Sequence, residues 1–411
     1  MRIHHLLPLL LGLPVPLRAQ EGALTVERAL DIARTRSPLT AVAGARRRIA
    51  EGRARTDGAF PNPIAEWRRE NLNSELQPDV FGTVQLPLDI TGRRLAMRSA
   101  VGAAVLRGRA DSSSALRQLE GEVVRAYWRA ALAQELLGVA REEREARAEL
   151  AQFDEHRFRE GAVAEVVSMR TRLESDRARM SEATARTEHE RARSDLARAL
   201  GVPAEELPAV SPIGPPGALP PAPAVVATVQ RALDTRPDLR ALRHASEESG
   251  HRLTGERRGI VSDLHVVAGY KQTSGVNTGV VGVLVPLPLF NRNEGARERA
   301  QGEAQLADAE LRDAELRVRG EVLAALRGYE AIREAMRDGA GGIDARAAEV
   351  ARIAEGAYRE GAISLVELIE AQRARAESRA AALRWAVDVR LAVLDINRAT
   401  GAPILDTLES Q

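Results

Sequence analysis

The chain contains one long stretch twice, and that duplication limits its fold more than any other feature. Phe158-Arg159-Glu160-Gly161-Ala162-Val163 returns as Tyr358-Arg359-Glu360-Gly361-Ala362-Ile363, 200 positions later. In both copies a long Ala/Arg/Glu helical pattern leads in, the glycine breaks it, and a second helical pattern leads out. The register then holds without a gap: Asp195, Arg198, Ala199, Gly201 and Pro203 correspond to Asp395, Arg398, Ala399, Gly401 and Pro403. A helix–turn–helix repeated over this length is an architecture, not a local motif.

Residues 1–19 read as a secretory signal. Arg2 supplies the positive start, residues 6–17 an apolar run, and Leu17-Arg18-Ala19 a cleavage site before Gln20. That run is too short and too broken by proline to span a bilayer, and no later segment offers about 18 uncharged apolar residues. The net charge of +1, with 28% of residues charged, argues against a nucleic-acid binder and suits long helices with solvated faces. Aromatic residues, at 3%, are too few for the core of a compact enzyme of 411 residues; alanine takes their place, as where helices pack closely. With no cysteine there are no disulfides and no thiolate metal site.

Each copy opens on two short helices. Thr25-Val26-Glu27-Arg28-Ala29-Leu30-Asp31 is a capped start that closes near Ser37-Pro38, followed by a helix over 39–57. The second copy starts at Val225 and echoes this with Arg231-Ala232-Leu233-Asp234 and Arg236-Pro237-Asp238-Leu239. Phe60-Pro61-Asn62-Pro63 then ends the helix. Alternation predicts strands over 64–71 and 79–90 around a polar loop at 73–78, and over 263–271 and 279–287 around a loop at 272–277. Their length is what a tilted strand needs to cross a bilayer. Phe60, Trp67, Phe81, Tyr270 and Phe290 lie in or beside these hairpins, as an interfacial girdle would place them. Two soluble hairpins are the alternative.

Very long helical patterns follow at 94–157 and 293–357, each on the order of 90–100 Å if continuous. In the second, Ala300, Ala304, Ala307, Leu311, Ala314, Val318, Val322, Ala325, Tyr329, Ile332 and Met336 form a coiled-coil-like seam with one stutter. Leu306, Leu316, Leu323 and Leu326 form part of a second stripe, predicting two neighbours for this helix. Residues 338–342 interrupt it as a glycine-rich joint. The segment organisation is therefore a signal (1–19), a first repeat (20–201, hairpin 64–90), a proline-rich linker (202–223), a second repeat (224–403, hairpin 263–287) and a tail (404–411).

Two copies of helix, hairpin, long helix, Tyr/Phe-x-x-Gly turn and return helix resemble the TolC family of outer-membrane efflux channels over essentially the whole mature chain. Asn62-Pro63, Leu86-Pro87-Leu88 and Thr91-Gly92-Arg93-Arg94 most resemble the CzcC-like, heavy-metal branch. The resemblance implies a mostly α fold with a small β part: duplicated long-helix hairpins forming a trimeric α-barrel tube in the periplasm. A 12-stranded transmembrane β-barrel would take four strands from each protomer. It further implies an outer-membrane homotrimer working with a periplasmic adaptor and an inner-membrane pump of the resistance-nodulation-division class, without a cofactor. Glu160, Gly161, Ala162, Glu360, Gly361 and Ala362 would face the adaptor. Glu367 and Glu370, one helical turn apart, would ring the periplasmic aperture, six carboxylates in a trimer. The first copy has Glu165, Val166 and Val167 there and lacks the acidic pair.

Nothing in the sequence supports catalysis: there is no nucleophile elbow, no phosphate-loop lysine, and His244 and His251 stand too far apart to form an adjacent ligand pair. A duct of the same fold for organic solutes or type I secretion, and a periplasmic coiled-coil scaffold without a barrel, are the alternatives.

Overall fold

The computed structural model describes residues 22–70, 78–217, 219–259, 264–337 and 342–405. The signal segment, most of the first hairpin loop, the joint at 338–341 and the tail from 406 lie outside the described residues. In chain order the elements are α1 (Val26–Arg36), α2 (Pro38–Asp57), β1 (Ile64–Glu70), β2 (Asp79–Leu88), α3 (Arg93–Arg159), α4 (Glu165–Leu200), α5 (Val225–Thr235), α6 (Pro237–Arg258), β3 (Leu264–Thr273), β4 (Val276–Leu284), α7 (Glu294–Arg337), α8 (Ile343–Arg359) and α9 (Leu365–Thr400). A 3-10 turn at Ala204–Glu206 follows α4. Among the described residues no helix is long and apolar enough to cross a membrane.

The chain divides into two compact units, and each draws on both copies of the repeat. One comprises Met1–Ser37, Glu122–Pro216 and Gly339–Asp388; the other comprises Pro38–Gly121, Gly217–Asp338 and Val389–Gln411. In the first, the proline-rich segment is extended yet pinned. Gln134 donates to the carbonyl of Val210 and accepts from its N–H, Val210 bridges Leu24, and the buried Tyr127 hydroxyl donates to the Leu24 carbonyl at 2.9 Å. Extended backbone has no internal partners, so such side chains satisfy it.

The core of the second unit lies along α7. Ala314, Val318, Val322, Leu326 and Tyr329 pack on Ala232, Leu233 and Leu239 of α5 and α6, and on Val393, Ile396 and Ala399 of α9. The expected seam is thus packed through Val322, after which Leu326 joins Tyr329 inside. Leu306 and Leu316 of the second stripe stay exposed, so the second neighbour does not come from within the unit. Arg236 stitches this core. Its guanidinium binds both oxygens of Asp238, Glu321 of α7 and the Ala399 carbonyl at the end of α9, while Thr235 donates to the Thr400 carbonyl.

Both crossovers from strand to helix meet one carboxylate. Glu256 of α6 accepts from Arg93 at the start of α3 (3.2 Å) and from the Asn293 amide before α7 (2.7 Å). Desolvation works against its charge, but these donors outweigh it and hold its carboxyl below the usual range. Asp89 caps α3 from outside, accepting from the N–H groups of Thr91, Gly92 and Arg94.

The four strands form one antiparallel sheet in the order β1-β2-β3-β4. The second hairpin differs from the expected six-residue loop. Ser274 and Gly275 both have positive φ (49° and 82°), a two-residue turn that lets Thr273 pair with Val276. At the far end β4 stops at Leu284 and not 287, where Pro286 and Pro288 remove ladder donors.

Candidate functional site

Two features concentrate the chemistry: the duplicated turns in the first unit and the sheet in the second. At each turn the glycine is left-handed, with φ of 74° at Gly161 and 76° at Gly361. The hydrogen bonds repeat as well. The N–H groups of Gly161 and Ala162 donate to the carbonyls of Phe158 and Arg157; those of Gly361 and Ala362 donate to Tyr358 and Ala357. This is the helix stop that glycine permits without strain. Glu160, Gly161, Ala162, Glu360, Gly361 and Ala362 are all exposed. Gly361→Ala has room for its methyl group, so the left-handed backbone alone should destabilise the turn by about 1–2 kcal/mol. Faster protease cleavage at 358–365 in Gly361→Ala, and at 158–165 in Gly161→Ala, checks this. Unchanged cleavage would count against it.

The copies differ in their partners. Ser364 caps α9, and Glu367 completes a capping box by accepting from the Ser364 N–H (2.7 Å) and hydroxyl (2.8 Å), which hold its carboxyl below the usual range. In the first copy Ala164 stands at the cap with no side-chain bond. Glu370 is also exposed, on the side of α9 away from Leu365, Leu368 and Ile369, which form a small core with Tyr358. Of the two expected aperture carboxylates, Glu367 is therefore held in a cap.

Tyr358, whose counterpart is Phe158, is 6% exposed, and its hydroxyl donates to both oxygens of the fully buried Asp154 of α3 at 2.9 and 3.0 Å. Arg157 stands 3.7 Å from Asp154 and lies over the Tyr358 ring. Burial raises the Asp154 carboxyl, against the opposing pull of Tyr358 and Arg157. Burial and the neighbouring acid push the Tyr358 phenol up to about 12. This latch between the two turns escaped the sequence reading. Its signal was the Phe-to-Tyr difference between otherwise matching turns, since a buried phenol needs a partner.

Alternation gives the sheet two unlike faces. One carries Ala65 and Trp67, then Val84 and Leu86, then Val266, Ala268 and Tyr270, then Val281 and Val283. Trp67, Gly82, Tyr270 and Gly279 share one row, and Arg69, Val80, Gln272 and Asn277 form the polar row beyond it. Trp67 is 69% and Val281 83% exposed, so nothing among the described residues covers this face there. The other carries Glu66, Arg68, Glu70, Thr83, Gln85 and Lys271. Phe81 departs from the expected girdle: it points to the polar face, its ring 4.9 Å from both Arg68 and Lys271. Among the described residues no group of His, Asp or Glu could hold a metal ion, and His244 pairs with Glu247 at 2.9 Å.

An apolar face open to lipid, backed by a polar face, is the strand pattern of an outer-membrane barrel, here joined to long helices. The chain belongs to the outer membrane efflux protein family, whose profile matches residues 73–202 and 228–402. It is 26% identical to the cobalt-zinc-cadmium resistance protein CzcC of Cupriavidus metallidurans over 289 residues, 69% of this chain and 67% of that protein. The Campylobacter jejuni CmeC outer membrane channel has the same fold, with a TM-score of 0.81 at 17% identity over 93% of this chain and 87% of that one. So does the Neisseria gonorrhoeae MtrE outer membrane channel, with a TM-score of 0.75 at 20% identity over 94% and 91%. The protein is an outer-membrane efflux channel, a transport duct and not an enzyme, which removes the scaffold alternative.

Proposed function

We propose that three copies of this chain close into one duct, the exit channel of a tripartite system that exports heavy-metal cations. The observation that carries this reading is the sheet: its four strands leave β1 and β4 as open edges in a face built for lipid. Unpaired backbone is not tolerated there, so other copies must supply the missing pairs, twelve strands in a trimer. Exposed apolar seams in the first unit support closure among the helices as well. Val166, Met169 and Leu173 run along α4, and Ile343, Val350 and Ile353 along α8. A periplasmic adaptor would meet the exposed turns at Glu160, Gly161, Ala162, Glu360, Gly361 and Ala362, and an inner-membrane resistance-nodulation-division pump would supply the energy. Glu370, with Glu367 held in its cap, would place carboxylates at the aperture and attract cations. Metal cargo is favoured over organic solutes by the likeness to CzcC.

Negative-stain microscopy of the protein extracted from outer membranes is expected to show threefold tubes with one detergent-coated end. Loss of the gene should sensitise cells to cobalt, zinc or cadmium. Sensitivity confined to organic toxicants would sink the metal reading. Lys271 is the sole lysine of the chain, so an amine reagent that cannot cross membranes reports whether the polar face is wet. No labelling of Lys271 in assembled channels would refute a water-filled lumen.

A further inference from the structure

The apolar band of the sheet is short for its task. From the row of Leu88 and Leu264 to the row of Trp67 and Tyr270 there are three steps of two residues, about 20 Å before tilt. A barrel's lipid-facing band is about 25 Å tall. The missing height lies on the helix side, where the crossovers stay apolar and exposed. Ile90 follows β2, and Leu287, Leu289 and Phe290 follow β4, with Phe290 101% exposed. Past the last ladder pair these exposed apolar side chains extend the apolar surface toward the helices.

Where this apolar run ends, a groove of about 580 Å³ opens between the end of α6 and the start of α7. Arg257 lines it from α6; Glu294, Arg297, Glu298, Gln301 and Gln305 line it from α7. Among the described residues neither arginine is in an ion pair, and the Arg297 Nε is buried without a partner. Two guanidinium groups and two carboxylates thus face one groove, which the proposed membrane-inserted trimer would bring to headgroup level.

We infer that this groove binds the headgroup of a phospholipid bearing both a phosphate and a primary ammonium, phosphoethanolamine, from the leaflet on the helix side. The inference rests on the proposed membrane-inserted trimer. Arg257 and Arg297 present forked donors that suit a phosphate. Glu294 and Glu298 accept from the ammonium, and a glycerol headgroup, with the same phosphate, offers them only neutral hydroxyls in place of that cation. Leu287, Leu289 and Phe290 sit above, against the acyl chains.

Native mass spectrometry of the detergent-solubilised channel tests this with added phosphatidylethanolamine, phosphatidylglycerol of the same acyl chains, and inorganic phosphate. The species of three chain masses reports the trimer, and its adducts report the site, so the two readings fail separately. Wild-type trimer should retain phosphatidylethanolamine in preference, and R257Q/R297Q should lose it by roughly tenfold or more. E298Q should keep the phosphate contact and lose the preference over phosphatidylglycerol. Equal retention of both lipids, retention unaffected by R257Q/R297Q, or displacement by free phosphate would overturn the inference. So would a bare trimer, as expected if a neighbouring copy covers the groove.

Discussion

Arg236→Ala is expected to lower the stability of the unit around α7 by about 3 kcal/mol, the largest effect of any single side chain outside the apolar core. The Arg236 side chain is 13% exposed and has four partners: both oxygens of Asp238, Glu321 and the Ala399 carbonyl. Its charge faces the carbonyl end of α9, where the helix dipole favours a cation. Truncation leaves the Ala399 carbonyl without its donor and Asp238 without its counter-ion. Asp238 and Glu321 are 39% and 52% exposed, so water recovers part of the loss, and the value sits at the low end for a broken buried pair. Arg236→Lys should fall between, because an ammonium cannot bind Asp238 with a fork.

The pH dependence has a defined sign. Desolvation raises the Asp238 carboxyl, but hydrogen bonds and charge from Arg236 outweigh it, and the folded value lies below the ordinary 3.8. A depressed acid contributes stability that is present above 3.8 and lost as pH falls through the folded value. That acid-labile part should vanish in Arg236→Ala. Denaturant midpoints at pH 7 and at pH 3 check both statements. Equal midpoints for wild type and Arg236→Ala at pH 7 would remove Arg236 from the account.

What the sequence carried was whatever repeats or alternates. The turn glycines were legible because two copies 200 positions apart keep the same left-handed stop. The sheet's apolar face was legible in part because Val266, Ala268 and Tyr270 alternate with His265, Val267, Gly269 and Lys271, of which only the outer two are polar. Phe81 was misplaced because an aromatic residue fits either a lipid girdle or a cation-flanked polar face, and only strand register separates the two. The tight second turn was hidden because Ser274 gives little hint of a positive φ. The clamps were out of reach for another reason. Arg93 and Glu256 stand 163 positions apart, and Asp154 and Tyr358 stand 204 apart. No local pattern relates such pairs: Arg93, Glu256 and Asp154 each look like one more charge on a charged helix, and Tyr358 stands out only as a change from Phe158. Glu367 shows the converse: Ser364-x-x-Glu367 is a capping box on sight, yet the same glutamate is a candidate aperture charge, and local geometry supports the cap first.

Tyr358→Phe is expected to loosen the turn between α8 and α9 and to favour the open channel, while Asp154→Asn does the reverse. Without the phenol, the fully buried Asp154 loses the two hydrogen bonds that Tyr358 donates and keeps only Arg157, 3.7 Å away, among its described partners. An acceptor stranded in this way costs about 2 kcal/mol, roughly thirtyfold in the ratio of open to closed turns. Asp154→Asn keeps an oxygen for the phenol and removes a charge that burial disfavours. Because the folded Asp154 carboxyl lies above its usual 3.8, the folded state holds the extra proton, and stability from this group declines as pH rises from 3.8 through the folded value. The phenol, pushed up to about 12, stays a donor throughout the neutral range. Hydrogen exchange across 343–370 and single-channel conductance in planar bilayers should therefore move in opposite directions for the two variants at neutral pH, and Asp154→Asn should flatten the pH dependence of exchange. If Tyr358→Phe leaves both exchange and conductance at wild-type values, the contact is packing alone and has no part in opening.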